Sequence, residues 1–278
     1  MIIAFQGVHG AYSEVALKKV FGDHRRSLPS QTFEEVFRNV RGGQARYGII
    51  PIENSLAGSI HQNYDLLLRF RIPIVAETYL RIEHALMCHR SIAPSSIRTV
   101  RSHPQALAQC GRFFRTHRRL TPEMYFDTAG AAASLADGSA GPTGAIASTL
   151  AARLYGLRIV RRHLEDREEN FTRFLVIGER RLPLAGRTER KTSLVFMPEK
   201  NRAGILWTIL GTLTRRNINL VKIESRPDPG SPFEYVFYAD IVGAPDEPAV
   251  AEALADMSTH TRRCTILGSY HIARFPRR

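Results

Sequence analysis

Short apolar runs alternate with amphipathic segments along the first 182 residues of the chain. In the amphipathic segments the apolar residues recur every three or four positions, which is the period of a helix, and the apolar runs have the length of buried strands. The predicted strands cover residues 2–5, 47–52, 72–87, 124–126, 144–147, 157–160 and 174–177. The predicted helices cover residues 12–21, 61–70, 103–116, 128–135 and 151–155, and one more begins at the capping box of Thr32 and Glu35. Strands that alternate with helices predict an α/β fold with parallel sheets and helices on both faces.

The number of short elements in this region indicates two lobes rather than one sheet. We expect the first lobe to comprise about residues 1–75 and 158–182, and the second about residues 76–157. A cleft between two lobes is the usual place for a small-molecule site.

A charged segment over residues 180–190, with Pro183 and Gly186, predicts a linker to a second domain. The pattern beyond it predicts strands at 192–197, 218–226, 233–242 and 264–270, and helices at 203–213 and 247–257. Their βαββαβ order is typical of a ferredoxin-like fold. The predicted domains are therefore residues 1–182 and 190–278.

The composition, with 44% hydrophobic and 9% aromatic residues, is typical of a globular protein and excludes a disordered one. No apolar run approaches the roughly 20 residues of a membrane span, and the N-terminus lacks the basic region of a signal peptide. Cys88, Cys110 and Cys264 are widely spaced, which is typical of a reducing compartment. We therefore expect a cytoplasmic protein without a membrane partner.

The net charge of +13 raises the question of nucleic-acid binding. All but five of the 39 basic residues are arginine, and the arginine pairs are spread along the chain rather than gathered beside aromatic residues. A nucleic-acid reader needs one concentrated basic surface. We therefore expect no nucleic-acid partner, and a basic surface that steers a small dianionic substrate inward.

Polar residues occupy the junctions where predicted strands lead into helices. A tight turn at Gly7 and Gly10, or helix capping by Ser102 and Asp127, would each explain its own segment. Strand-to-helix junctions of an α/β fold converge on one crevice, however, so their shared position favours a binding site. The candidate binding residues are Gly10, Ala11, Tyr12, Ser13, Asn54, Ser55, Ser102, Gln105, Asp127, Thr128 and Phe174.

The segment from Asn170 to Phe174 brings one hydroxyl and one guanidinium to the start of a buried strand. A buried arginine requires a partner, so Arg173 forms either a structural salt bridge, to Asp166 or Glu168, or part of a site. The ten histidines have no metal-binding spacing, and dinucleotide, P-loop and G-x-S-x-G motifs do not occur. We therefore expect no metal and no cofactor.

Taken in order, these motifs resemble prephenate dehydratase joined to an ACT regulatory domain. The matching motifs are Gly7-x-x-Gly10-Ala11-Tyr12-Ser13-Glu14, Pro51-Ile52-Glu53-Asn54-Ser55, Ser102-His103-Pro104-Gln105-Ala106, Asp127-Thr128-Ala129, Ala145-Ile146-Ala147-Ser148, Asn170-Phe171-Thr172-Arg173-Phe174, Ile218-Asn219-Leu220 and Glu224-Ser225-Arg226-Pro227. The resemblance spans essentially the whole chain. It implies a bilobed catalytic region similar to type 2 periplasmic-binding proteins, followed by a ferredoxin-like ACT domain.

The resemblance implies conversion of prephenate to phenylpyruvate, carbon dioxide and water, a step of phenylalanine biosynthesis. It also implies that Thr172 is required for activity. We expect the Thr172 hydroxyl to assist the departing ring hydroxyl and His103 or Glu53 to restore its proton. We expect Arg173 and the helix N-termini after Gly10 and Ser102 to anchor the side-chain carboxylate of the substrate.

The ACT resemblance implies a homodimer or homotetramer that binds phenylalanine as a feedback inhibitor. The effector-binding residues it implies are Asn201, Ala203, Gly204, Ile205, Leu206, Glu224 and Ser225. Ala203 stands where proline is usual and Ile205 where alanine is usual. Extra methylene groups in a pocket for a phenyl ring would weaken binding by about 1–3 kcal/mol.

Two other functions fit the same residues. Arogenate dehydratase performs the same chemistry on the transaminated substrate, and the sequence does not distinguish the two. A non-catalytic amino-acid sensor would combine a ligand-binding pair of lobes with an ACT module, but the complete motif from Asn170 to Phe174 argues against it.

Overall fold

The computed structural model describes residues 1–180, 182, 189–228 and 231–276. The chain divides into two compact units, one formed by Met1–Ile60, Thr78–Phe174 and the C-terminal residues from Phe275, the other by His61–Glu77 and Leu175–Arg274. Most of the predicted linker over residues 180–190 lies outside the described residues. The predicted lobe and domain boundaries stay a prediction.

Strands and helices alternate through most of the chain. In chain order the elements are β1 Ile2–Gln6, α1 Tyr12–Phe21, β2 Arg26–Ser30, α2 Phe33–Arg41, β3 Tyr47–Asn54, β4 Gly58–Ser59, α3 His61–Phe70, β5 Ile74–Arg81, β6 Ala85–Cys88, β7 Thr99–Ser102, α4 Pro104–Gln109, α5 Gly111–Thr116, β8 Thr121–Met124, α6 Thr128–Ala133, β9 Thr143–Ala147, α7 Thr149–Leu154, β10 Arg158–Arg161, β11 Phe171–Ile177, β12 Arg190–Pro198, α8 Ile205–Thr214, β13 Leu220–Asp228, β14 Ser231–Val242, α9 Pro248–Ser258 and β15 Thr261–His271. A 3₁₀ turn covers Pro94–Ser96. Within the part of the chain that the structure describes, no helix is long and apolar enough to cross a membrane.

In the first unit, β1, β2, β3 and the parts of β11 and β5 that belong to it form a sheet of order β2-β1-β3-β11-β5. Strand β1 runs parallel to both β2 and β3. Helix α2 begins as predicted, since Thr32 Oγ1 accepts a hydrogen bond from the Glu35 backbone N–H at 3.2 Å. The Glu35 carboxylate, however, accepts from the N–H of Gln31 rather than from that of Thr32.

A second sheet of the first unit has the order β10-β6-β9-β7-β8. Its strands are mixed: β7 is parallel to β8 and β9, whereas β6 is antiparallel to β9 and β10. The prediction of purely parallel sheets was therefore wrong here. Strand β6 leads to the next strand of this sheet, β7, through residues 89–98, which hold a 3₁₀ turn and no crossover α-helix, as expected for strands of opposite direction.

Two predicted elements are divided in the structure, and three strands, β2, the two-residue β4 and β7, were not predicted. The predicted strand over residues 72–87 is β5 and β6, which lie in different sheets, and the predicted helix over 103–116 is α4 and α5, which meet at Cys110. Strand β2 was missed because it carries Pro29 and polar residues, which an edge strand tolerates. Strand β7 was also missed, because Arg101 and Ser102 interrupt its apolar pattern.

The ferredoxin-like order of the second unit is confirmed. Strands β12 to β15 form an antiparallel sheet of order β13-β14-β12-β15. One core packs this sheet against helices α8 and α9, with Phe196, Ile209 and Met257 fully buried. Helix α8 begins after Gly204, whose φ of +77° is a left-handed conformation that glycine adopts without strain.

Candidate active site

A cavity of about 490 Å³ in the first unit is lined by loops from both of its sheets. It opens where β1 leads into α1, where β3 ends, where α4 and α6 begin, and where β11 starts. Predicted site residues that line it are Ala11, Tyr12, Ser13, Asn54, His103, Gln105, Asp127, Thr128, Thr172 and Phe174. The convergence expected from strand-to-helix junctions therefore brings most of the candidate residues together.

Thr172 and Asn54 form the central contact of this cavity. The Thr172 side chain is largely buried, and its Oγ1 accepts a hydrogen bond from Asn54 Nδ2 at 3.0 Å. The Asn54 amide is held in this orientation because its Oδ1 accepts from the backbone N–H groups of Leu56 and Ala57, at 3.1 and 2.9 Å. Since its oxygen already accepts a bond, the Thr172 hydroxyl can direct its own proton into the cavity.

Strand alternation separates Arg173 from its neighbours on β11. Thr172 and Phe174 line the cavity, whereas Arg173, which lies between them, is buried outside the lining. Successive side chains of a strand point to opposite faces, which explains this difference. Glu53 on β3 likewise lies outside the lining, while its neighbour Asn54 is part of it.

Gly10 shapes the loop after β1 rather than the cavity lining. Its φ is +91°, and a Cβ added there would lie 2.7 Å from the Ala151 Cα. Its N–H donates to the Glu14 carboxylate at 2.6 Å, and its carbonyl accepts from the Ser148 hydroxyl at 2.6 Å. Burial raises the pKa of the Glu14 carboxyl, but hydrogen bonds from Gly10, Ser27 and His9 outweigh burial, so the pKa is lowered overall.

Ser55 and Ser102 lie outside the cavity lining, and their hydroxyl groups form hydrogen bonds with neighbouring parts of the backbone. The Ser55 hydroxyl donates to the carbonyl of Glu169 at 2.7 Å and accepts from the N–H of Phe171 at 3.0 Å. Ser102 is fully buried, and its hydroxyl donates to the Ile146 carbonyl at 2.6 Å. These bonds hold β11 and β7 in place beside the cavity.

His103, not Ser102, caps helix α4. Its Nδ1 accepts a hydrogen bond from the N–H of Gln105 at 3.2 Å. Helix capping by Ser102, one of the two explanations that its sequence allowed, is therefore wrong, since Ser102 still belongs to β7. When Nδ1 accepts this bond, the neutral imidazole carries its hydrogen on Nε2 and can donate a hydrogen bond to a ligand from there.

Asp127 lines the cavity and caps helix α6. Its carboxylate accepts hydrogen bonds from the backbone N–H groups of Gly130, Val8 and Ala129, and it interacts with His103. Burial raises the pKa of Asp127 above its ordinary value, although these donors and His103 act in the opposite direction. Asp127 thus ties the loop after β1 to the start of α6.

Sequence reasoning missed four polar lining residues, Gln6, Ser59, His84 and Gln109, and the last two are linked by hydrogen bonds to predicted site residues. Tyr12 Oη lies 2.7 Å from His84 Nδ1, and His84 Nε2 lies 2.9 Å from Gln109 Oε1. Asn170 Nδ2 donates to the same Gln109 oxygen at 2.9 Å, and Asn54 Nδ2 donates to Asn170 Oδ1 at 2.9 Å. A signal was present, because Glu83 and His84 interrupt the apolar run that was predicted as one strand.

Burial shapes the titration of the groups at the Tyr12 end of this hydrogen-bonded chain. It lowers the pKa of His84, which is 2% exposed, so His84 is neutral near pH 7. It also raises the pKa of Tyr12 well above its ordinary value, with smaller contributions from Cys110, Glu165 and Glu83.

A second cavity, of about 390 Å³, lies in the second unit beside the start of α8. The predicted effector residues Asn201, Gly204, Ile205 and Leu206 line it, whereas Ala203, Glu224 and Ser225 do not. Ile205 is also buried in the core of this unit. Lining residues that the sequence did not indicate include Trp207, Tyr235, Phe237 and Arg262.

Comparisons with known proteins agree with the motifs. A family model for prephenate dehydratase matches residues 3–182, and one for the ACT domain matches residues 199–258. Arogenate dehydratase/prephenate dehydratase 6 of Arabidopsis thaliana, a chloroplastic protein, is 39% identical over 285 residues, which cover 96% of this chain and 68% of that protein.

Two solved structures are similar over nearly the whole chain. GqqA, described as a novel type of quorum-quenching acylase, is 36% identical with a TM-score of 0.88 over 98% of both chains. Prephenate dehydratase from Arthrobacter aurescens, solved in complex with L-Phe, is 29% identical with a TM-score of 0.88 over 99% of this chain and 90% of that one. The predicted fold class, a bilobed catalytic region with a C-terminal ACT domain, is confirmed. The chain belongs to the prephenate dehydratase family of hydro-lyases and carries an ACT domain.

Proposed function

We propose that the first cavity converts prephenate to phenylpyruvate, with Thr172 assisting the departure of the ring hydroxyl. The observation that carries this proposal is the bond from Asn54 to Thr172, which turns the Thr172 proton toward the cavity. Family membership indicates the reaction. The hydrogen bond from Asn54 leaves the Thr172 hydroxyl free to donate to the ring hydroxyl that departs.

The reaction requires a donor because hydroxide is a poor leaving group. The bond from the ring to one carboxylate breaks, its electron pair moves through the ring, and the bond to the ring hydroxyl breaks at the opposite end. Carbon dioxide and hydroxide leave, and hydroxide takes up one proton to become water. A threonine hydroxyl is a very weak acid, so Thr172 stabilises the departing oxygen by a hydrogen bond, and another group supplies the proton.

His103 is the better of the two candidates for supplying that proton. It lines the cavity, whereas Glu53 lies outside the lining, and the imidazolium form of a histidine can give a proton to the departing hydroxyl.

The start of α1 is the candidate site for a substrate carboxylate. Of the described residues that line the cavity, none is an arginine or a lysine. Ala11, Tyr12 and Ser13 do line it, and the first turn of this ten-residue helix has backbone N–H groups that attract anions. The role predicted for Arg173 as a carboxylate anchor stays a prediction.

The test is the production of phenylpyruvate by Thr172→Ala and Thr172→Ser. Loss of one transition-state donor lowers kcat by about 10²–10³-fold, so we expect that loss in Thr172→Ala. Thr172→Ser keeps the hydroxyl and is expected to retain most of the activity. A Thr172→Ala enzyme that remains folded and turns over at the wild-type rate would refute the role of Thr172.

Arogenate is the second candidate substrate, because relatives carry both activities in their names. Prephenate presents a keto group where arogenate presents an ammonium. Comparison of kcat/KM for the two purified substrates decides between them.

Acyl hydrolysis, the activity in the description of GqqA, requires a base or a nucleophile in the cavity. His103 Nδ1 already accepts from the N–H of Gln105, so the neutral ring presents a hydrogen-bond donor rather than a base to the cavity. This arrangement favours dehydration over hydrolysis. Assays of prephenate dehydration and of acyl hydrolysis on the same enzyme preparation measure the relative rates of the two reactions.

We further propose that the second cavity binds phenylalanine and that the second unit forms a homo-oligomer in the cytoplasm. The cavity combines apolar Leu206 and Phe237 with polar Asn201 and Arg262, which suits an amino acid with an aromatic side chain. On the edge strand β13, Val221 and Ile223 are 46% and 39% exposed, which supports a partner copy at that edge. Light scattering with and without phenylalanine tests the assembly.

A further inference from the structure

The hydrogen-bonded chain beside Thr172 has a single direction, and two backbone groups determine it. The N–H groups of Leu56 and Ala57 donate to Asn54 Oδ1, so Asn54 Nδ2 must be the donor at its other end. Asn54 Nδ2 donates to Asn170 Oδ1 as well as to Thr172. The orientation of the fully buried Asn170 amide is thereby fixed.

The same logic continues from Asn170 to Tyr12. Because Asn170 Oδ1 accepts, its Nδ2 donates to Gln109, and the Gln109 atom at that point must be oxygen. His84 Nε2 contacts the same oxygen and must therefore carry a proton. In the neutral ring His84 Nδ1 is then an acceptor, 2.7 Å from the Tyr12 hydroxyl, which also donates to the Glu83 carbonyl at 2.9 Å. Each amide and the imidazole tautomer follow from the two N–H groups of the β3–β4 turn.

The consequence concerns Gln109, which lines the cavity. Its oxygen accepts from both His84 and Asn170, so only its amide NH₂ remains for a ligand. We propose that Gln109 is a substrate-binding residue that donates a hydrogen bond to an oxygen of the substrate, and that His84 and Asn170 are positioning residues that hold its amide in this orientation. This inference rests on the proposed dehydratase function.

The Gln109 NH₂ group can donate to either of two kinds of acceptor on the proposed substrate: a carboxylate oxygen or the keto oxygen of the side chain. An ammonium at the keto position can only donate and would face the Gln109 NH₂ unfavourably. Gln109 therefore has the potential to distinguish prephenate from arogenate.

The decisive variant is Gln109→Glu, because it keeps an oxygen for His84 and Asn170 and removes only the donor. We expect its KM for prephenate to rise at least tenfold, because a hydrogen bond to a charged group is lost and a like charge is added. Gln44→Glu, at an exposed position outside the lining, adds the same charge and is the matched control. Thermal unfolding and circular dichroism verify that both variants are folded.

A pH series separates donation from packing. As the pH falls, the carboxyl group introduced by Gln109→Glu becomes a neutral acid that can donate, so kcat/KM of this variant relative to wild type should recover. Gln109→Met has no such group, and its deficit relative to wild type should not change with pH. Equal KM values for wild type and Gln109→Glu, or equal and pH-independent deficits in both variants, would overturn the proposal.

Arogenate locates the acceptor within the same experiment. If Gln109 meets the keto oxygen, Gln109→Glu should shift kcat/KM toward arogenate, whose ammonium pairs with the new carboxylate. If it meets a carboxylate, both substrates should lose equally. Either result supports donation by Gln109. Phenylpyruvate formation by the wild-type enzyme tests the dehydratase function separately, so failure of one proposal is distinguishable from failure of the other.

Discussion

Asn54 Nδ2 lies 3.0 Å from Thr172 Oγ1, although the two residues are 118 positions apart in the sequence. The amide donates and the hydroxyl accepts, since the Asn54 oxygen is occupied by two backbone N–H groups. This single contact decides whether the Thr172 proton faces the cavity or the protein.

Asn54→Asp reverses this relationship. One carboxylate oxygen can still accept from Leu56 and Ala57, but the other faces Thr172, which must then donate to it. The cavity loses the Thr172 proton while Thr172 itself is unchanged. We expect kcat to fall by about 10²-fold, comparable to removal of a transition-state donor.

The measurement is steady-state phenylpyruvate formation by Asn54→Asp beside Thr172→Ala and the double variant. Because both single changes remove the same donor, the double variant should lose little more than either one. Multiplicative losses would show that Asn54 acts independently of Thr172.

Gly10→Ala tests the close packing of the loop after β1. A methyl group there would meet Ala151 at 2.7 Å in a backbone with φ of +91°. Overpacking and strain each cost about 1–3 kcal/mol, so the free energy of unfolding in urea should fall by at least about 2 kcal/mol.

Gly43→Ala is the control for backbone strain alone. Gly43 has φ of +74°, but no heavy atom lies within 4 Å of an added Cβ. Its loss should be the smaller of the two, of about 1 kcal/mol. Equal losses in both variants would mean that contact with Ala151 is unimportant.

His84 makes stability depend on pH. Burial lowers its pKa in the folded state, so between the folded and unfolded pKa values the unfolded chain binds more protons. Its contribution is complete above the unfolded pKa and is lost as the pH falls toward the folded one. The slope for one proton is at most about 1.4 kcal/mol per pH unit.

Urea unfolding at several pH values between neutral and mildly acidic checks this expectation. His84→Gln removes the titration, so the wild type should lose more stability on acidification than this variant. His24→Gln, at an exposed histidine, is the matched control for loss of an imidazole. Parallel curves for wild type and His84→Gln would contradict the assignment.

Trp207 provides a direct probe of the proposed effector site. It is the single tryptophan of the chain, lines the second cavity and is 80% exposed. Phenylalanine bound beside it should change its surroundings, and hence its fluorescence, in a saturable way. Alanine has the same backbone without the ring and should leave the emission unchanged at equal concentration.

Local pattern predicted the elements whose periodicity is strong. Helices α1 and α3 have the predicted bounds, Tyr12–Phe21 and His61–Phe70, because an amphipathic period is a property of neighbouring residues. The βαββαβ order of the second unit was also predicted from local pattern. Strand β2 was not, since its place beside β1 depends on pairing between distant segments.

Motif order also indicated most of the residues that share the first cavity. It could not distinguish lining residues from their neighbours, because successive side chains of a strand point to opposite faces and only one face lines the cavity. Asn54 and Thr172 line the cavity, whereas Glu53 and Arg173 are adjacent to them in sequence and do not.

The sequence by itself determined the family, the α/β and ferredoxin-like classes, and the identity of the candidate threonine, since each rests on local pattern or on ordered motifs. Only the tertiary structure decided the direction of the hydrogen bonds that link Thr172 to Gln109 and His84. Amide orientation and imidazole tautomer are set by donors from distant parts of the chain, and these meet only when the strands and loops pack together.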